Sequence, residues 1–263
     1  MPRKQALYDA LIARIFGNHY RKGVDVFEFD RTEIETVASE LNLQLPKNLG
    51  DLIYSFRYRK ELPREIVDTE AGNKRWTNLP AGRAKYRFKL AKLTEIVPRQ
   101  NLIATKIPDA TPQIIAAYAL TDEQALLARV RYNRLIDIFL GITTYSLQNH
   151  LRTTVKNLGQ IEIDEIYVGV NKTGQQFILP VQAKGGSDKL AVIQTSQDLA
   201  YCAEKFPSLT AKAISAQFME DGIIALFELT LENGEVKVVD ERHYCLAPAN
   251  SIGEDDLRNY AGR

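Results

Sequence analysis

Cysteine, histidine and long apolar runs are all scarce in this chain of 263 residues. The cysteines, Cys202 and Cys245, form no CxxC pair and no Cys/His ligand spacing, which argues against a disulfide framework and a zinc site. We expect both to be buried as small hydrophobic residues. No apolar run approaches the roughly 20 residues of a membrane helix, and Asp9 and Arg14 interrupt the N-terminal stretch, unlike a secretory signal. The sequence therefore predicts a soluble, cytoplasmic protein without a membrane segment.

An excess of one charge is also missing, because 34 Lys and Arg face 33 Asp and Glu. The near-neutral total hides an asymmetry along the chain. Residues 1–100 hold 19 basic and 13 acidic side chains, residues 101–263 hold 15 and 20, and Arg57–Lys92 alone holds 11 and 4. A basic front half on a neutral protein is typical of a surface that binds a polyanion. An ordinary solvated face is the alternative.

The first 93 residues have the predicted element order helix, strand, helix, helix and a ribbon of strands. Alternation predicts a strand at Val24–Phe29, Asp30 and Asn48 are placed to begin helices, and basic and apolar residues nearly alternate along Arg83–Leu90. This order resembles a winged helix-turn-helix module, whose third helix typically lies in the DNA major groove. A helical packing module with a charged exterior is the alternative.

On that resemblance, polar positions of the third helix contact base edges or phosphates. The residues expected to do so are Lys47, Asn48, Ser55, Arg57 and Arg59. Residues 94–120 contain several prolines and are predicted to connect this domain to a second one, residues 121–263.

The second domain is predicted to open with a long helix and to continue mainly as strands. The predicted elements are a helix at Thr121–Leu140, an irregular segment at Gly141–Asn149, a short strand at Leu190–Ile193, a helix at Ser196–Glu204, and strands at Ala211–Phe218, Ile223–Leu231, Val236–Val239 and Tyr244–Leu246.

The stretch Gly159–Leu190 carries the most informative pattern of the chain. It consists of two strand-like runs joined by a turn signal at Asn171–Gly174. In the first run Glu162 and Asp164 share one face, and in the second run Gln182 and Lys184 do. Adjacent strands would therefore gather Asp164, Gln182 and Lys184 into one polar cluster. Its alternative is an exposed sheet face with a surface ion pair.

Such a cluster suits the hydrolysis of phosphodiesters. Carboxylate and amide oxygens are hard ligands for Mg²⁺, which keeps several waters and binds a scissile phosphate. A lysine beside them can orient or help deprotonate the attacking water and offset the developing charge.

The runs IEIDEIYV and ILPVQAKGG resemble the paired motif of the PD-(D/E)XK nuclease superfamily, which includes type II restriction endonucleases, Holliday-junction resolvases and RecB-like nucleases. The resemblance implies an α/β (α+β) fold with a mixed central β-sheet flanked by helices. It makes Asp164 the metal-binding aspartate and Lys184 the catalytic lysine. Gln182 stands where the family usually has Glu or Asp, so the site lacks one negative charge.

The resemblance also leaves several residues as candidates around this cluster. Glu165 or Glu162 is expected to compensate for the missing charge, and Glu123 or Asp137 to supply a further carboxylate from the preceding helix. Gln197–Tyr201 matches the QxxxY motif of the RecB-like branch, although a plain helix face has the same spacing. The further expected DNA contacts are Gln148, His150, Arg152 and Gln194.

These features together predict a Mg²⁺-dependent, site-specific endonuclease of double-stranded DNA, in particular a type II restriction endonuclease. A homodimer is expected because a palindromic target has two-fold symmetry, and a cognate DNA methyltransferase is its expected companion. The alternatives are a repair, resolvase or transposon-associated nuclease, and a DNA-binding regulator whose nuclease-like domain is inactive.

Overall fold

The computed structural model describes residues 2–45, 49, 52–53, 55–56, 60–72, 74–82, 84–92, 96–118, 123–156, 158–185, 192–232 and 235–261. The chain divides into two compact units, which consist of residues 1–93 with 154–160 and of residues 94–153 with 161–263. Residues 94–120, predicted to be a connection, thus group with the second unit, and the short segment 154–160 groups with the first.

The first unit combines helices with a small antiparallel sheet. Its described elements are α1 (Pro2–His19), β1 (Val26–Asp30), α2 (Arg31–Glu40), α3 (Arg64–Val67), β2 (Lys74–Gly82) and β3 (Lys85–Lys92). The three strands are ordered β1-β3-β2, and both pairings are antiparallel. Each strand alternates, so that one face of the sheet packs on the helices and the other faces solvent.

Aromatic rings fill the core of the first unit. The rings of Phe16 and Trp76 have centroids 5.0 Å apart, and those of Phe16 and Phe88 are 5.2 Å apart, in edge-to-face arrangements. All three side chains are buried. On β3 the residues that alternate with these apolar positions are basic, and Lys85 and Lys89 are exposed. Lys85 and Lys89 therefore put positive charge on the solvent face of this sheet, where Arg87 pairs with Glu28.

Much of the predicted third helix lies outside the described residues, including Lys47, Asn48, Arg57 and Arg59. Leu52, Ile53 and Phe56 are described and buried, as the apolar spacing predicts. Ser55 is also buried, with only 6% of its surface exposed, so its predicted place on a DNA-facing surface is wrong. Ser55 lies three residues after Leu52 and next to Phe56, so helical spacing places it at the edge of the buried face that these residues form.

The second unit is a mixed α/β structure in which helices flank a large mixed sheet. Its helices are α4 (Gln113–Tyr118), α5 (Glu123–Tyr132), α6 (Leu135–Leu140), α7 (Val192–Lys205) and α8 (Glu254–Ala261). Its strands are β4 (Thr105–Pro108), β5 (Thr143–Val155), β6 (Gly159–Val170), β7 (Gln176–Lys184), β8 (Thr210–Ala211), β9 (Ala213–Phe218), β10 (Ile223–Glu232) and β11 (Glu235–Ala247).

The sheet order is β4-β11-β10-β9-β7-β6-β5, with β8 paired to β7 beside this path. Antiparallel pairs join β6 to β7, β9 to β10 and β10 to β11, whereas β7 with β9 and β4 with β11 are parallel. The parallel pairing of β7 and β9 follows from the crossover through α7, which returns the chain in the same direction. This arrangement puts β6 and β7 away from the sheet edges.

Apolar clusters cover both faces of the sheet. On one face Val181 and Ala183 of β7 pack in a cluster with Leu126 and Leu127 of α5. On the other face Ala225 and Phe227 belong to a second cluster, against which Val192 and Leu199 of α7 pack. Residues of β7 that alternate with Val181 and Ala183 therefore lie on the side of α7, which decides the surroundings of Gln182.

Three sequence predictions fail in this unit. The long helix ends at Tyr132, because Arg134 adopts a left-handed backbone (φ 49°) and the buried Asn133 side chain donates a hydrogen bond to the Arg129 carbonyl. Most of the segment predicted to be irregular belongs to β5, an edge strand in which residues 145–150 are all exposed and therefore show no alternation of burial. Residues 192–193 begin α7 rather than ending a strand.

Residues 94–120 contain structure that their prolines did not predict. The four residues of β4 pair in parallel with β11, Thr105 opposite Tyr244 and Pro108 opposite Ala247. A strand this short has no periodicity to detect. Throughout the described ranges, the helices are all too short or too polar to cross a membrane. Cys202 and Cys245 are both free thiols; the first is buried and the second partly exposed.

Candidate functional site

The strands β6 and β7 separate at the centre of the sheet, and two side chains bridge the gap. Their regular pairing runs from Val170 opposite Gln176 to Glu165 opposite Val181. Beyond that pair Asp164 Oδ2 accepts a hydrogen bond from the Ala183 backbone N–H at 2.8 Å. In the same way Gln182 Nε2 donates to the Glu162 carbonyl at 3.2 Å. A carboxylate and an amide thus occupy the opening between two central strands.

Asp164 is fixed in an environment that penalises its charge. Only 8% of the residue is exposed, and this burial raises the pKa of its carboxyl to about 6. The Ala183 N–H and the nearby Lys184 act in the opposite direction and favour the ionised form, whereas Glu123 and Glu162 disfavour it. A cation beside Asp164 would therefore relieve both the burial penalty and the repulsion from these glutamates.

Gln182 has an unambiguous amide orientation. Its Nε2 donates to the Glu162 carbonyl and, at 2.7 Å, to Asp198 Oδ2. The Glu162 backbone carbonyl can only accept a hydrogen bond, so the NH₂ group lies on its side and Oε1 on the other. Oε1 is buried and has no hydrogen-bond partner. A buried carbonyl oxygen without a donor is costly unless a ligand or water satisfies it.

Lys184 and Glu123 form an ion pair at the end of β7. Their Nζ and Oε1 atoms are 2.9 Å apart, and the lysine side chain is only 16% exposed. Glu123 begins α5 and also influences the pKa of Asp164. The structure therefore brings Glu123, Asp164, Gln182 and Lys184 to one place, as predicted for a cluster from two strands and the preceding helix.

Glu165 does not join this cluster, contrary to its predicted role as a metal ligand. Because it follows Asp164 directly in a strand, its side chain points to the opposite face. There it is fully buried, and it accepts hydrogen bonds from Arg131 Nε at 2.9 Å and from the Ser146 hydroxyl. The contact with Glu165 raises the pKa of Arg131. Asp137, the other proposed carboxylate, instead accepts a hydrogen bond from the Thr144 N–H at 2.9 Å.

Asp198 belongs to the cluster, and the sequence reasoning missed it. It lies on α7 with 2% exposure, and burial raises the pKa of its carboxyl well above the ordinary value. The neighbouring QxxxY residues, Gln197 and Tyr201, are buried too, so the plain-helix interpretation fits them better than contact with DNA. Thr195, Asp198 and Cys202 recur every three to four residues and so share the buried face of α7. A carboxylate on that face is the signal in the sequence that could have identified Asp198.

The predicted contacts on β5 lie near the same face. His150 Nδ1 and Arg152 Nε approach the Glu162 carboxylate at 3.4 and 3.3 Å, and both side chains are more than half exposed. Gln148 is exposed as well, whereas Gln194 is half-buried in the first turn of α7. His150 adopts a left-handed backbone (φ 51°), which bends this exposed strand near Glu162.

The oxygen atoms of the cluster fit a Mg²⁺ ion that keeps most of its water. The described residues contain no group of three or more His, Cys, Asp and Glu arranged to hold a metal. Mg²⁺, however, is commonly bound through one or two protein oxygens together with waters and substrate phosphates. The Asp164 carboxylate and the unpartnered Gln182 Oε1 are such oxygens, both hard donors at the opening between β6 and β7.

Comparisons with known proteins identify no relative: no protein-family model matches the chain, and neither a curated protein nor a solved structure matches it.

Proposed function

We propose that this protein is a Mg²⁺-dependent endonuclease of double-stranded DNA with a PD-(D/E)XK-type catalytic unit. One observation carries the proposal: two central strands separate at Asp164 and Gln182, and Lys184 follows on the same face. This places a carboxylate oxygen, a bare amide oxygen and an ammonium group at one opening. Phosphodiester hydrolysis needs hard metal ligands and a nearby cationic group.

Asp164 and Gln182 Oε1 are the groups that would hold Mg²⁺. When bound, the ion supplies charge stabilisation at the scissile phosphate and a more acidic water. Lys184 orients the attacking water through its Nζ and offsets charge that develops on the phosphoryl oxygens. Glu123 holds Nζ at 2.9 Å and so restricts the lysine to one position. The Ala183 N–H does the same for the Asp164 carboxylate.

The first unit would supply the DNA-binding surface. The element order and the sheet order β1-β3-β2 support a winged-helix arrangement. Exposed Lys85 and Lys89 on the solvent face of β3 are suited to backbone phosphates. Lys47, Asn48, Arg57 and Arg59 stay predicted contacts. In the second unit His150 and Arg152 are exposed donors near the cluster and are suited to phosphates as well.

A separate basic module in the same chain as a nuclease site favours site-specific cleavage, so we propose a type II restriction endonuclease that acts in the cytoplasm. A palindromic target would require a homodimer, and a cognate DNA methyltransferase would protect the host's own sites. A repair, resolvase or transposon-associated nuclease uses the same chemistry on another DNA structure. Because Gln182 leaves the site one negative charge short, a DNA-binding regulator without nuclease activity is a further alternative.

The test is plasmid cleavage in Mg²⁺ by the wild type and two variants. Asp164→Asn removes the charge and keeps an acceptor for Ala183, and Lys184→Ala removes the ammonium group. We expect each to lower the cleavage rate by about 10²–10⁴-fold, the range for a positioned catalytic group. DNA binding measured in Ca²⁺ should persist, because neither residue belongs to the proposed DNA-binding surface.

Two exposed residues provide matched controls: Asp255→Asn on α8 and Lys237→Ala on β11 should cleave like the wild type. Undiminished cleavage by Asp164→Asn or Lys184→Ala would remove the proposed site. Discrete fragments support the restriction enzyme, and a smear excludes it. Preferred cleavage of a four-way junction would identify a resolvase. If the wild type binds DNA but cleaves none, the remaining interpretation is a DNA-binding regulator without nuclease activity.

A further inference from the structure

We infer that Asp198 is a positioning residue that fixes the Gln182 amide so that its Oε1 serves as a metal ligand beside Asp164. The inference rests on the proposed function and explains how a neutral glutamine can stand at this position. It assigns a role to a residue on α7, an element outside the two strands that carry the sequence motif.

The contact itself is buried and short. Asp198 Oδ2 and Gln182 Nε2 are 2.7 Å apart, and the two residues are 2% and 3% exposed. An amide can present either end to a neighbour, and the hydrogen bonds around it determine which end that is. Asp198 Oδ2 accepts from the NH₂ group and therefore favours the orientation in which Oε1 points away from it. The Glu162 carbonyl accepts the second N–H and reinforces the same choice.

The selected orientation leaves Oε1 without any donor in a buried position. Both N–H groups of the amide donate to other acceptors, and no group of the described residues donates a hydrogen bond to Oε1 in return. The arrangement becomes favourable when a cation or its water takes the free oxygen. Asp164, held by the Ala183 N–H, supplies a carboxylate at the same opening between the strands. Residues that orient metal ligands in this way commonly change metal affinity by about 10–100-fold.

The test measures Mg²⁺ affinity by titration calorimetry of the full chain without DNA. Asp198→Leu removes the acceptor and keeps a side chain branched at Cγ, and it should weaken Mg²⁺ binding by about 10–100-fold. In a Gln182→Ala background the same change should alter affinity much less than it does with Gln182 present, because the hydrogen bond that Asp198 accepts comes from Gln182. Asp198→Asn keeps an oxygen that can accept from Nε2, so it should retain affinity within about threefold.

A matched control is Glu241→Gln, which neutralises another buried carboxylate, bound to Arg99 and remote in sequence from the cluster. It should leave Mg²⁺ affinity unchanged. The inference is overturned if Asp198→Leu binds Mg²⁺ like the wild type, or if it weakens binding equally with and without Gln182. A wild type that binds no Mg²⁺ would overturn the proposed function as well, so the two failures are distinguishable.

An exchange of the two groups gives a second readout that needs no metal. Gln182→Glu places a carboxylate against Asp198, where no N–H remains to join them, and should lower the thermal midpoint. Adding Asp198→Asn restores a donor between the two side chains with reversed polarity, so the midpoint should rise above that of Gln182→Glu alone, although the Glu162 carbonyl stays without its donor. An exchange that recovers nothing would contradict a directed amide–carboxylate contact.

Discussion

The buried ion pair of Arg131 and Glu165 gives a prediction whose sign depends on which partner is removed. Glu165 is 0% exposed, and the Arg131 side chain is 34% exposed. Breaking a buried pair costs about 3–5 kcal/mol when the remaining charge has no access to water. Arg131→Met leaves such a carboxylate, with Ser146 as its remaining hydrogen-bond donor. Because water already reaches the arginine end of the pair, we discount this cost to about 2–3 kcal/mol.

Removing the charge of Glu165 instead of Arg131 should lower the free energy of unfolding by a smaller amount. Glu165→Gln leaves a guanidinium that water can solvate through its exposed third and that can still bond the amide oxygen, so we expect about 1 kcal/mol. The double variant has neither buried charge and should be more stable than Arg131→Met alone. Glu165→Gln should also keep Mg²⁺ affinity within about twofold of wild type, because its side chain lies on the face opposite Asp164.

Urea unfolding followed by far-UV circular dichroism measures these differences. With a slope of about 2 kcal/mol per M, Arg131→Met should lower the midpoint by about 1 M or more and Glu165→Gln by about half as much. A double-mutant cycle should give a coupling of about 1 kcal/mol or more. The reasoning is refuted if Glu165→Gln costs as much as Arg131→Met, or if Glu165→Gln abolishes Mg²⁺ binding.

Two further predictions concern pH and salt. Because the folded-state pKa of Asp164, about 6, lies above the unfolded value of about 3.9, the folded protein binds more protons between them and its stability falls as pH rises through that window. Thermal midpoints without metal should thus drop between about pH 4 and pH 7, and the drop should be smaller in Asp164→Asn; an equal drop contradicts the assignment. Lys85→Ala with Lys89→Ala should weaken DNA binding and flatten its dependence on salt by about one to two units of log–log slope, whereas Lys237→Ala should not; an unchanged slope removes β3 from the DNA-binding surface.

The sequence predicts those parts of the fold whose residues alternate or repeat over several turns. α1 forms where apolar side chains mark one buried face, and β9 and β10 fall at their expected places because continuous apolar runs mark strands that are buried on both faces. β5 escapes prediction because an edge strand that is exposed on both faces needs no alternation. The end of α5 depends on a tertiary contact, in which the Asn133 side-chain oxygen Oδ1 accepts from the Ala110 backbone N–H. No local pattern encodes a contact that spans such a distance in sequence.

The candidate site shows the same division between local and tertiary information. Strand alternation places Asp164, Gln182 and Lys184 on one face, and the structure brings them together. Alternation also excludes Glu165 from that face, although its sequence proximity to Asp164 made it a candidate. Asp198 could not be assigned from the motif, because its contact with Gln182 depends on how α7 packs on the sheet.

The glutamine at position 182 follows from the charges that surround it. Glu162, Glu123 and Asp198 already surround Asp164, and both glutamates raise the pKa of Asp164. A glutamate at 182 would put a further negative charge against Asp198 and would lose both hydrogen bonds that the Gln182 NH₂ group donates. The amide instead donates to two acceptors and still offers an oxygen to a cation. A neutral glutamine near a buried aspartate therefore adds no further negative charge to this cluster, and its Oε1 has no hydrogen-bond donor and can still serve a cation.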